Sequence, residues 1–420
     1  MPSYIARRIR FRNGERLSIL MVPGGLPVHE ATLYLDSFRT KGRAANTIHF
    51  VCCTLALLYR ELDRAGVRLI ERLEAGRFLA ASELARLASL AQMRMADVEG
   101  ETPEKAKSNV INMARIGFRL KADQPERVPV DVATQASRLR YMAGFLSFVS
   151  SYVAAALPPA MRASLEEECA KALEAFRAQI PAVSRRARLD ARIGLSADEQ
   201  DWLLSILHPD SPENPWARGF VRKRNWLIVV LLLATGMRRG ELLGLQIGDL
   251  HPHESKLRII RRADAAEDAR RVQPNTKTHD REVELAPSIM KAIWEFVNGG
   301  RRAIPAARKI PQIFVSDEGK ALSAASIDKL FLQVRKACPG LPVTLTSHVM
   351  RHTWNERFSE QADALGLTEV TEQQARNQQQ GWSENSEMAA SYTRRHTAKK
   401  GNELSLNLQK KLDDKLQRSD

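Results

Sequence analysis

Apolar residues recur at three- and four-residue steps through most of the first half of this 420-residue chain. In NTIHFVCCTLALLY, which starts at residue 46, the positions that follow this spacing are Ile48, Val51, Cys52, Leu55 and Leu58. Such spacing places apolar side chains on one face of an α-helix. Further segments of the same kind lie near 78–95, 103–120, 131–157 and 159–178. The first half is therefore expected to form an all-helical domain.

The second half mixes helical and strand patterns. KLRIIRRA (256–263) and REVELA (281–286) have strand-like patterns, which predict two strands joined by a long hairpin. WLIVVLLLA (226–234) predicts a buried helix, since its nine residues fall well short of the ~20 that cross a membrane. Further helices are predicted at 288–299, 324–337, 346–360, 384–395 and 402–418. The expected fold is mainly α with a small β-hairpin or sheet in the second domain (α+β).

The length of the chain predicts two domains, because domains usually contain ~100–200 residues. QIPAVSRRARLDARIGL (179–195) has the proline, glycine and arginines of a linker, and a capping box from Ser196 to Glu199 begins a new helix after it. The predicted division is an N-terminal extension at 1–26, a helical domain at 27–180, a basic linker at 181–195, a second domain at 196–400 and a tail at 401–420.

The basic residues of the linker are candidates for DNA contact. They are Arg185, Arg186, Arg188 and Arg192. A basic linker between two domains can lie against a nucleic-acid backbone, and it can equally be a solvated connection. The sequence leaves both interpretations open.

The charge and the cysteines restrict the class of protein. A net charge of +15 and a pI near 9.9 indicate a polyanionic partner, with nucleic acid the first candidate and a membrane surface the second. The N-terminus lacks the apolar core of a signal peptide. No C-x-x-C pair occurs, so the cysteines are interpreted as reduced core residues of an intracellular protein: Cys52, Cys53, Cys169 and Cys338.

Two short stretches carry candidate cations. In ATGMRRGELLGL (234–245), Arg238 follows a glycine turn and Glu241 opens the next helix, so the two are expected to pair and to aim the guanidinium into a cleft. A purely structural salt bridge is the alternative. In PNTKTHDREVEL (274–285), Lys277 lies in a polar turn before a strand, where a lysine is ordinarily a surface residue.

The stretch TSHVMRHTW (346–354) places His348, Arg351 and His352 at positions i, i+3 and i+4, so the three side chains share one helical face. A metal site is disfavoured, because no H-E-x-x-H motif, cysteine pair or suitably spaced acid accompanies them. A phosphate site fits better, since arginine donates two parallel hydrogen bonds to phosphate oxygens and histidine can move a proton.

In GWSENSEMAASYTRRH (381–396), Tyr392 would be interpreted as a packing residue if it stood alone, and Trp382 lies in the same stretch. The joint order of these stretches is more specific. Arg238, Lys277, His348-x-x-Arg351, Trp382 and Tyr392 resemble, in order and approximate spacing, the motifs of the tyrosine recombinase (phage integrase) family. The resemblance covers about 196–400, and more loosely 28–180, where the family has a helical core-binding domain.

The resemblance implies a role for each residue in cleavage of a DNA phosphodiester. Arg238 and Arg351 would neutralise the non-bridging oxygens, and Tyr392 would attack phosphorus. Lys277 would protonate the 5′-oxygen that leaves, and His348 would take the tyrosine proton.

Three further residues have supporting roles in this scheme. Trp382 stands where most of the family has a second histidine, and its indole N–H would donate to a phosphate oxygen. Glu241 matches an acidic position that supports Arg238, and His352 packs or braces. The scheme requires no metal and no cofactor.

The resemblance implies a site-specific DNA recombinase that integrates, excises or transposes a mobile element as a homo-tetramer on double-stranded DNA with specific sites. Accessory proteins and a cytoplasmic, nucleoid-associated location in a bacterium are expected with it. An amphipathic tail that would dock on a neighbouring subunit fits such an assembly; it contains Leu404, Leu406, Leu408, Leu412, Lys410 and Lys411. The alternatives are a non-catalytic DNA-binding accessory protein, a type IB topoisomerase and a metal-dependent nuclease.

Overall fold

The structure is a computed structural model, and it describes residues 4–94, 129–183, 194–274, 278–384, 386 and 394–416. The chain divides into two compact units, Met1–Arg186 and Ala187–Asp420. The division falls within the segment 181–195 that the sequence predicts as a linker. The finer domain boundaries given above remain a proposal.

The first unit combines a small antiparallel hairpin with helices. The hairpin strands are β1 (Ile5–Arg10) and β2 (Arg16–Met21). The described helices are α1 (His29–Thr40), α2 (Ala45–Arg64), α3 (Leu69–Glu74), α4 (Ala81–Leu90), α5 (Val132–Ala154) and α6 (Pro159–Ala178). The helix predicted at 103–120 lies outside the described residues. The other predicted helices of this half are present.

The hairpin is part of the core of the first unit. Residues of β2 alternate between buried and partly buried, and Leu20 is fully buried in the helical core. Arg8 donates from Nη1 to Oδ1 of Asn46 on α2 (2.8 Å), and the hydroxyl of Ser18 lies 3.0 Å from Nδ1 of His49. The hairpin is therefore fixed on α2, although the sequence analysis assigned residues 1–26 only to a short N-terminal extension.

His49 on α2 packs against the hairpin, and this packing makes the stability of the protein depend on pH. Burial, with a smaller effect of the Arg8 charge, lowers the pKa of His49 from 6.5 to about 4. Between these values the unfolded chain binds a proton that the folded chain does not, so the free energy of unfolding is expected to fall as the pH is lowered from 6.5 to about 4.

Urea unfolding followed over this pH range would measure the effect. His49→Gln should flatten the dependence, whereas His29→Gln, at an exposed position on α1, serves as the matched control and should leave it unchanged. Equal pH slopes for wild type and His49→Gln would contradict the assignment.

The second unit is mainly helical around a three-stranded antiparallel sheet. The sheet has the order β3 (Leu250–His251), β4 (Lys256–Ile259), β5 (Arg281–Glu284), and Leu257 pairs with Val283. The described helices are α7 (Ala197–Leu207), α8 (Gly219–Thr235), α9 (Arg239–Gly244), α10 (Pro287–Phe296), α11 (Ala324–Ala337), α12 (Ser347–Ala364), α13 (Glu369–Gln380) and α14 (Arg394–Leu416).

The mixed pattern predicted for this half is confirmed. The two predicted strands pair as β4 and β5, and the apolar run at 226–234 lies in α8, where most side chains are buried. Two elements, β3 and α13, were not predicted. The helix predicted at 384–395 falls largely outside the described residues. The final helix begins at Arg394 rather than at residue 402.

The fold class is therefore mainly α with small antiparallel sheets, as expected. Among the described residues, no helix is long and apolar enough to span a lipid bilayer.

Candidate active site

The site is built around the turn that ends α8. Gly236 adopts φ +60°, the left-handed conformation that glycine tolerates best, and an added Cβ would lie 2.8 Å from the ring of Trp354. Helix ends leave carbonyl oxygens without partners inside the helix. Here donors from two later helices bind them, because Trp354 Nε1 donates to Ala234 O (3.1 Å) and Gln380 Nε2 donates to Thr235 O (3.2 Å).

Arg351 completes this turn. Its Nη1 donates to the carbonyl of Gly236 (2.7 Å), and its side chain is only 1% exposed. The guanidinium carbon lies 5.1 Å from the centre of the Trp382 ring, which is close enough for a cation–π contact. A guanidinium is thus held beside the turn that leads directly into Arg238.

Glu241 is the anion of the site and is fully buried. Its Oε2 accepts from Arg281 Nη2 (2.7 Å) and from the backbone N–H of Arg238 (3.0 Å), while its Oε1 accepts from the hydroxyl of Thr278 (2.7 Å). Burial alone would raise the pKa of Glu241, but the charge and hydrogen bonds of Arg281, the Thr278 hydrogen bond and the charge of Arg351 lower it overall. Glu241 is therefore a carboxylate.

Arg238 lies at the start of α9 with its side chain 26% exposed. Its Nη1 is 3.6 Å from Oε1 of Glu241, so the expected pair exists, but at a longer distance than the pair with Arg281. Within the described residues this Nη1 has no hydrogen-bond partner. The arrangement leaves donor capacity on Arg238 for an external anion.

Arg281 is a site residue that the sequence analysis missed. It lies at the start of β5, is almost completely buried, and donates from Nε to the carbonyl of Gln379 at the end of α13 (2.7 Å). A backbone hydrogen bond lies close by: the N–H of His279, two residues before Arg281, donates to the carbonyl of Gly381 (2.9 Å). Arg281 thus ties Glu241 and the sheet to the segment that enters Trp382.

The two histidines predicted to share a helical face do so. The rings of His348 and His352 on α12 have their centres 4.8 Å apart and are nearly perpendicular, at 84°. His352 is buried and His348 is partly exposed. Within the described part of the chain, no three His, Cys, Asp or Glu side chains are grouped so that they could hold a metal ion.

Trp382 is mostly buried, and its backbone N–H donates to the carbonyl of Asn377 (2.8 Å). The structure thus brings together Arg238, Glu241, Arg351 and Trp382. The other predicted site residues, Lys277 and Tyr392, lie outside the described residues, although Thr278 next to Lys277 is bonded to Glu241. The predicted linker contacts also lie outside them: Arg185, Arg186, Arg188 and Arg192.

Comparison with known proteins agrees with this site. Residues 198–397 match the model of the phage integrase family. The matched residues include the turn at Gly236, the contacts of the buried side chains of Arg281 and Arg351, and the pair His348 and His352. Residues 198–397 are therefore a domain of the phage integrase family.

Individual relatives are more distant. The tyrosine recombinase XerD of Halalkalibacterium halodurans is 25% identical over 158 residues, which cover 37% of this chain and 48% of XerD. The chain thus spans about half the length of this curated relative.

Two solved structures also resemble the chain. The Tn1549 transposon integrase in complex with circular intermediate DNA is 17% identical, covers 86% of this chain and 94% of its own, and has a TM-score of 0.48. A lambda integrase dimer bound to a COC′ core site is 14% identical, covers 87% and 94%, and has a TM-score of 0.46. Both scores lie below 0.5, so the family assignment rests on the match over residues 198–397.

Proposed function

We propose that this protein is a site-specific DNA recombinase that breaks and rejoins DNA strands through a 3′-phosphotyrosine intermediate. The observation that carries the proposal is the convergence of Arg238 and Arg351 at the Gly236 turn. The carboxylate of Glu241 lies beside Arg238, and the charge of Arg351 contributes to lowering its pKa. Two fixed guanidinium groups suit a phosphodiester, because they neutralise the oxygens on which charge develops during in-line attack.

The covalent step assigns roles to three more residues. The phenolic oxygen of Tyr392 attacks phosphorus, and the bond from phosphorus to the 5′-oxygen breaks. His348 takes the phenolic proton, and Lys277 gives a proton to the departing 5′-oxygen. The DNA 3′-phosphate then remains on Tyr392, so the energy of the broken bond is kept and a second 5′-hydroxyl can reverse the step without ATP.

The remaining site residues position these groups. Glu241 fixes the start of α9, and with it Arg238, through the backbone N–H of that arginine. Trp382 packs on the guanidinium of Arg351 and offers an indole N–H to a phosphate oxygen. His352 contacts the ring of His348 and holds its orientation.

The proposed substrate is double-stranded DNA with specific recombination sites, taken from a mobile element that is integrated, excised or transposed. Exchange between two duplexes needs four active subunits, and we assign the tail helix α14 a role in that assembly. Its Leu404, Leu406 and Leu408 are exposed in the single chain. The same proposal includes accessory proteins and a nucleoid location. It also includes the domain boundaries at 27–180 and 196–400 and contact between DNA and the linker arginines.

A covalent-trapping assay tests this function. The wild-type protein would be incubated, with chelator present, with a library of nicked duplexes whose nick lets the 5′-hydroxyl fragment diffuse away. We expect a protein–DNA adduct that survives denaturing electrophoresis, and no adduct from Tyr392→Phe, because a phenylalanine has no attacking oxygen.

Tyr152→Phe is the matched control, since this exposed tyrosine lies on α5 in the first unit and should leave the adduct unchanged. Cleavage without an adduct in a parallel incubation that lacks chelator, and no cleavage when chelator is present, would instead indicate a metal-dependent nuclease. DNA binding without an adduct on any substrate would favour the non-catalytic alternative. Relaxation of supercoiled DNA without exchange between duplexes would favour the topoisomerase alternative.

A further inference from the structure

Thr278 is buried, although the two residues that follow it, His279 and Asp280, are exposed. It lies at the end of the connection that leads into β5, and its hydroxyl donates to Oε1 of Glu241 (2.7 Å). A buried hydroxyl needs a hydrogen-bond partner, and the buried carboxylate supplies one. The end of this connection is therefore fixed to the anion that lies beside Arg238.

Gly381 packs against the same residue from another side. The N–H of His279 donates to the carbonyl of Gly381 (2.9 Å), and Nη1 of Arg281 donates to the hydroxyl of Thr278 (3.4 Å). Gly381 has φ +62°, and a Cβ added to it would lie 3.0 Å from the Cβ of Thr278. Thr278 is thus held between Glu241 and Gly381 with little room to shift.

The chain is also anchored on the other side of Lys277. Gln273 donates from Nε2 to the carbonyl of Arg262 (2.7 Å), just after β4. Lys277 itself directly precedes Thr278 in the sequence, and consecutive Cα atoms are ~3.8 Å apart across a trans peptide bond. The adjacent anchor at Thr278 therefore restricts the space that is open to the lysine.

We propose that Thr278 is a positioning residue for strand cleavage: its hydrogen bond to Glu241 keeps Lys277 within reach of the 5′-oxygen that leaves. This inference rests on the proposed function, because that function makes Lys277 the general acid. As the bond from phosphorus to the 5′-oxygen breaks, the Lys277 ammonium gives one proton to that oxygen and becomes a neutral amine. In rejoining, the amine takes the proton of the incoming 5′-hydroxyl, so the ammonium is restored. Loss of the Thr278 anchor would slow this proton transfer and leave the other groups in place.

A change of the leaving atom separates the proton transfer from the rest of the reaction. A duplex that forms an adduct with the wild-type protein would be prepared in two forms, with oxygen or with sulfur at the bridging 5′ position of the cleaved bond. A thiol is a much stronger acid than an alcohol, so the sulfur leaves as a thiolate that needs no proton. A defect confined to the general acid is therefore seen with the oxygen DNA and absent with the sulfur DNA.

Thr278→Val removes the hydroxyl and keeps the shape of the side chain. We expect single-turnover adduct formation about 10²-fold slower than wild type on the oxygen DNA, and close to wild type on the sulfur DNA. Thr278→Ser restores a hydroxyl and should react like wild type on both. Lys277→Ala should show the pattern of Thr278→Val with a larger loss on the oxygen DNA.

Two variants elsewhere serve as controls. Thr54→Val removes another buried hydroxyl, which donates to the carbonyl of Phe50 within α2 of the first unit (2.9 Å), and should leave both reactions unchanged. Arg351→Lys should slow both, because charge develops on the non-bridging oxygens with either leaving atom. Urea unfolding would verify that the variants fold, and Thr278→Ala takes the place of the valine variant if that one does not.

The outcomes separate this inference from the proposed function. An equal loss of Thr278→Val on the two substrates would mean that Thr278 supports the phosphate-binding groups or stability, and no loss on the oxygen DNA would mean that it positions nothing. Either result, or a Lys277→Ala variant that reacts like wild type on the oxygen DNA, overturns the inference and leaves a recombinase that forms its adduct. A wild-type protein that forms no adduct on any duplex overturns both.

Discussion

Replacing Arg351 with lysine is expected to reduce formation of the covalent DNA adduct about 10³-fold. The Nη1 of Arg351 donates a hydrogen bond to the carbonyl of Gly236, and its guanidinium group packs against the Trp382 ring. These two contacts fix the plane of the guanidinium group. Lysine keeps the charge but presents one compact ammonium, so it cannot hold the turn and meet a phosphate oxygen with a planar fork at once. Single-turnover adduct formation at saturating DNA would measure the loss.

The control for this variant is a second buried arginine of the same unit. Arg301 is 2% exposed and donates to backbone carbonyls, including Gln312 O (3.1 Å) and Ala307 O (3.0 Å). Arg301→Lys should lower the unfolding midpoint but leave the cleavage rate of the folded protein near wild type. If Arg301→Lys and Arg351→Lys lost cleavage equally, the effect would be one of stability, and the assigned role of Arg351 would be wrong.

Glu241→Gln is expected to lower the free energy of unfolding by about 3 kcal/mol or more, because removal of one partner leaves buried charge uncompensated. Glu241 is fully buried, and its charge compensates that of Arg281, which is almost completely buried. It also compensates the charge of Arg238. The same change should slow cleavage, since the start of α9 and the fork of Arg238 lose their common anchor. Urea unfolding and the trapping assay give the two readouts.

The pH dependence distinguishes a charged Glu241 from a neutral one. The pKa of Glu241 is lowered from its ordinary value of 4.5, so its contribution to stability is complete above that pH. The contribution is lost as the pH falls below 4.5 and through the lowered value in the folded state. Glu241→Gln should remove this part of the acid sensitivity.

Glu282→Gln provides the matched comparison for that measurement. Glu282 lies on β5 next to Arg281, but its ion pairs with Lys256 and Arg258 are partly exposed. Exposed pairs contribute ~0–1 kcal/mol, so this variant should change stability little. A loss as large as that of Glu241→Gln would mean that the strand as a whole, rather than the buried carboxylate, sets the effect.

Local sequence patterns were sufficient for most of the fold. The resemblance to the phage integrase motifs named Arg238, Glu241, Arg351 and Trp382, which the structure brings together, and their roles remain a proposal. Period-3.6 spacing predicted α2 and α8, and alternation predicted the β4–β5 pair. Helix α13 was missed for a physical reason. EVTEQQARNQQQ has no apolar stripe, and the buried face of this helix is polar: Arg376, Asn377 and Gln380 each donate a hydrogen bond to a backbone carbonyl.

Arg281 was missed for a related reason. Alternation places Arg281 on the same face of β5 as the buried Val283, but no local pattern shows what compensates its charge. Its partners are Glu241, 40 residues earlier, and the carbonyl of Gln379 at the end of α13, 98 residues later. The partners of the Gly236 turn were equally beyond local patterns, because Trp354 and Gln380 are separated from their acceptors by 120 and 145 residues. Local spacing identifies the residue types of the site but not the donors that hold them.

These long separations also determine when the site can exist during synthesis of the chain. The turn before Arg238 leaves the ribosome early, but Arg351 follows its acceptor Gly236 by 115 residues, and the donor from Gln380 comes later still. Until α12 has been translated and packed, the guanidinium of Arg351 is missing from the turn that precedes Arg238. A nascent or prematurely terminated chain therefore lacks the pair of guanidinium groups on which the proposed strand cleavage depends.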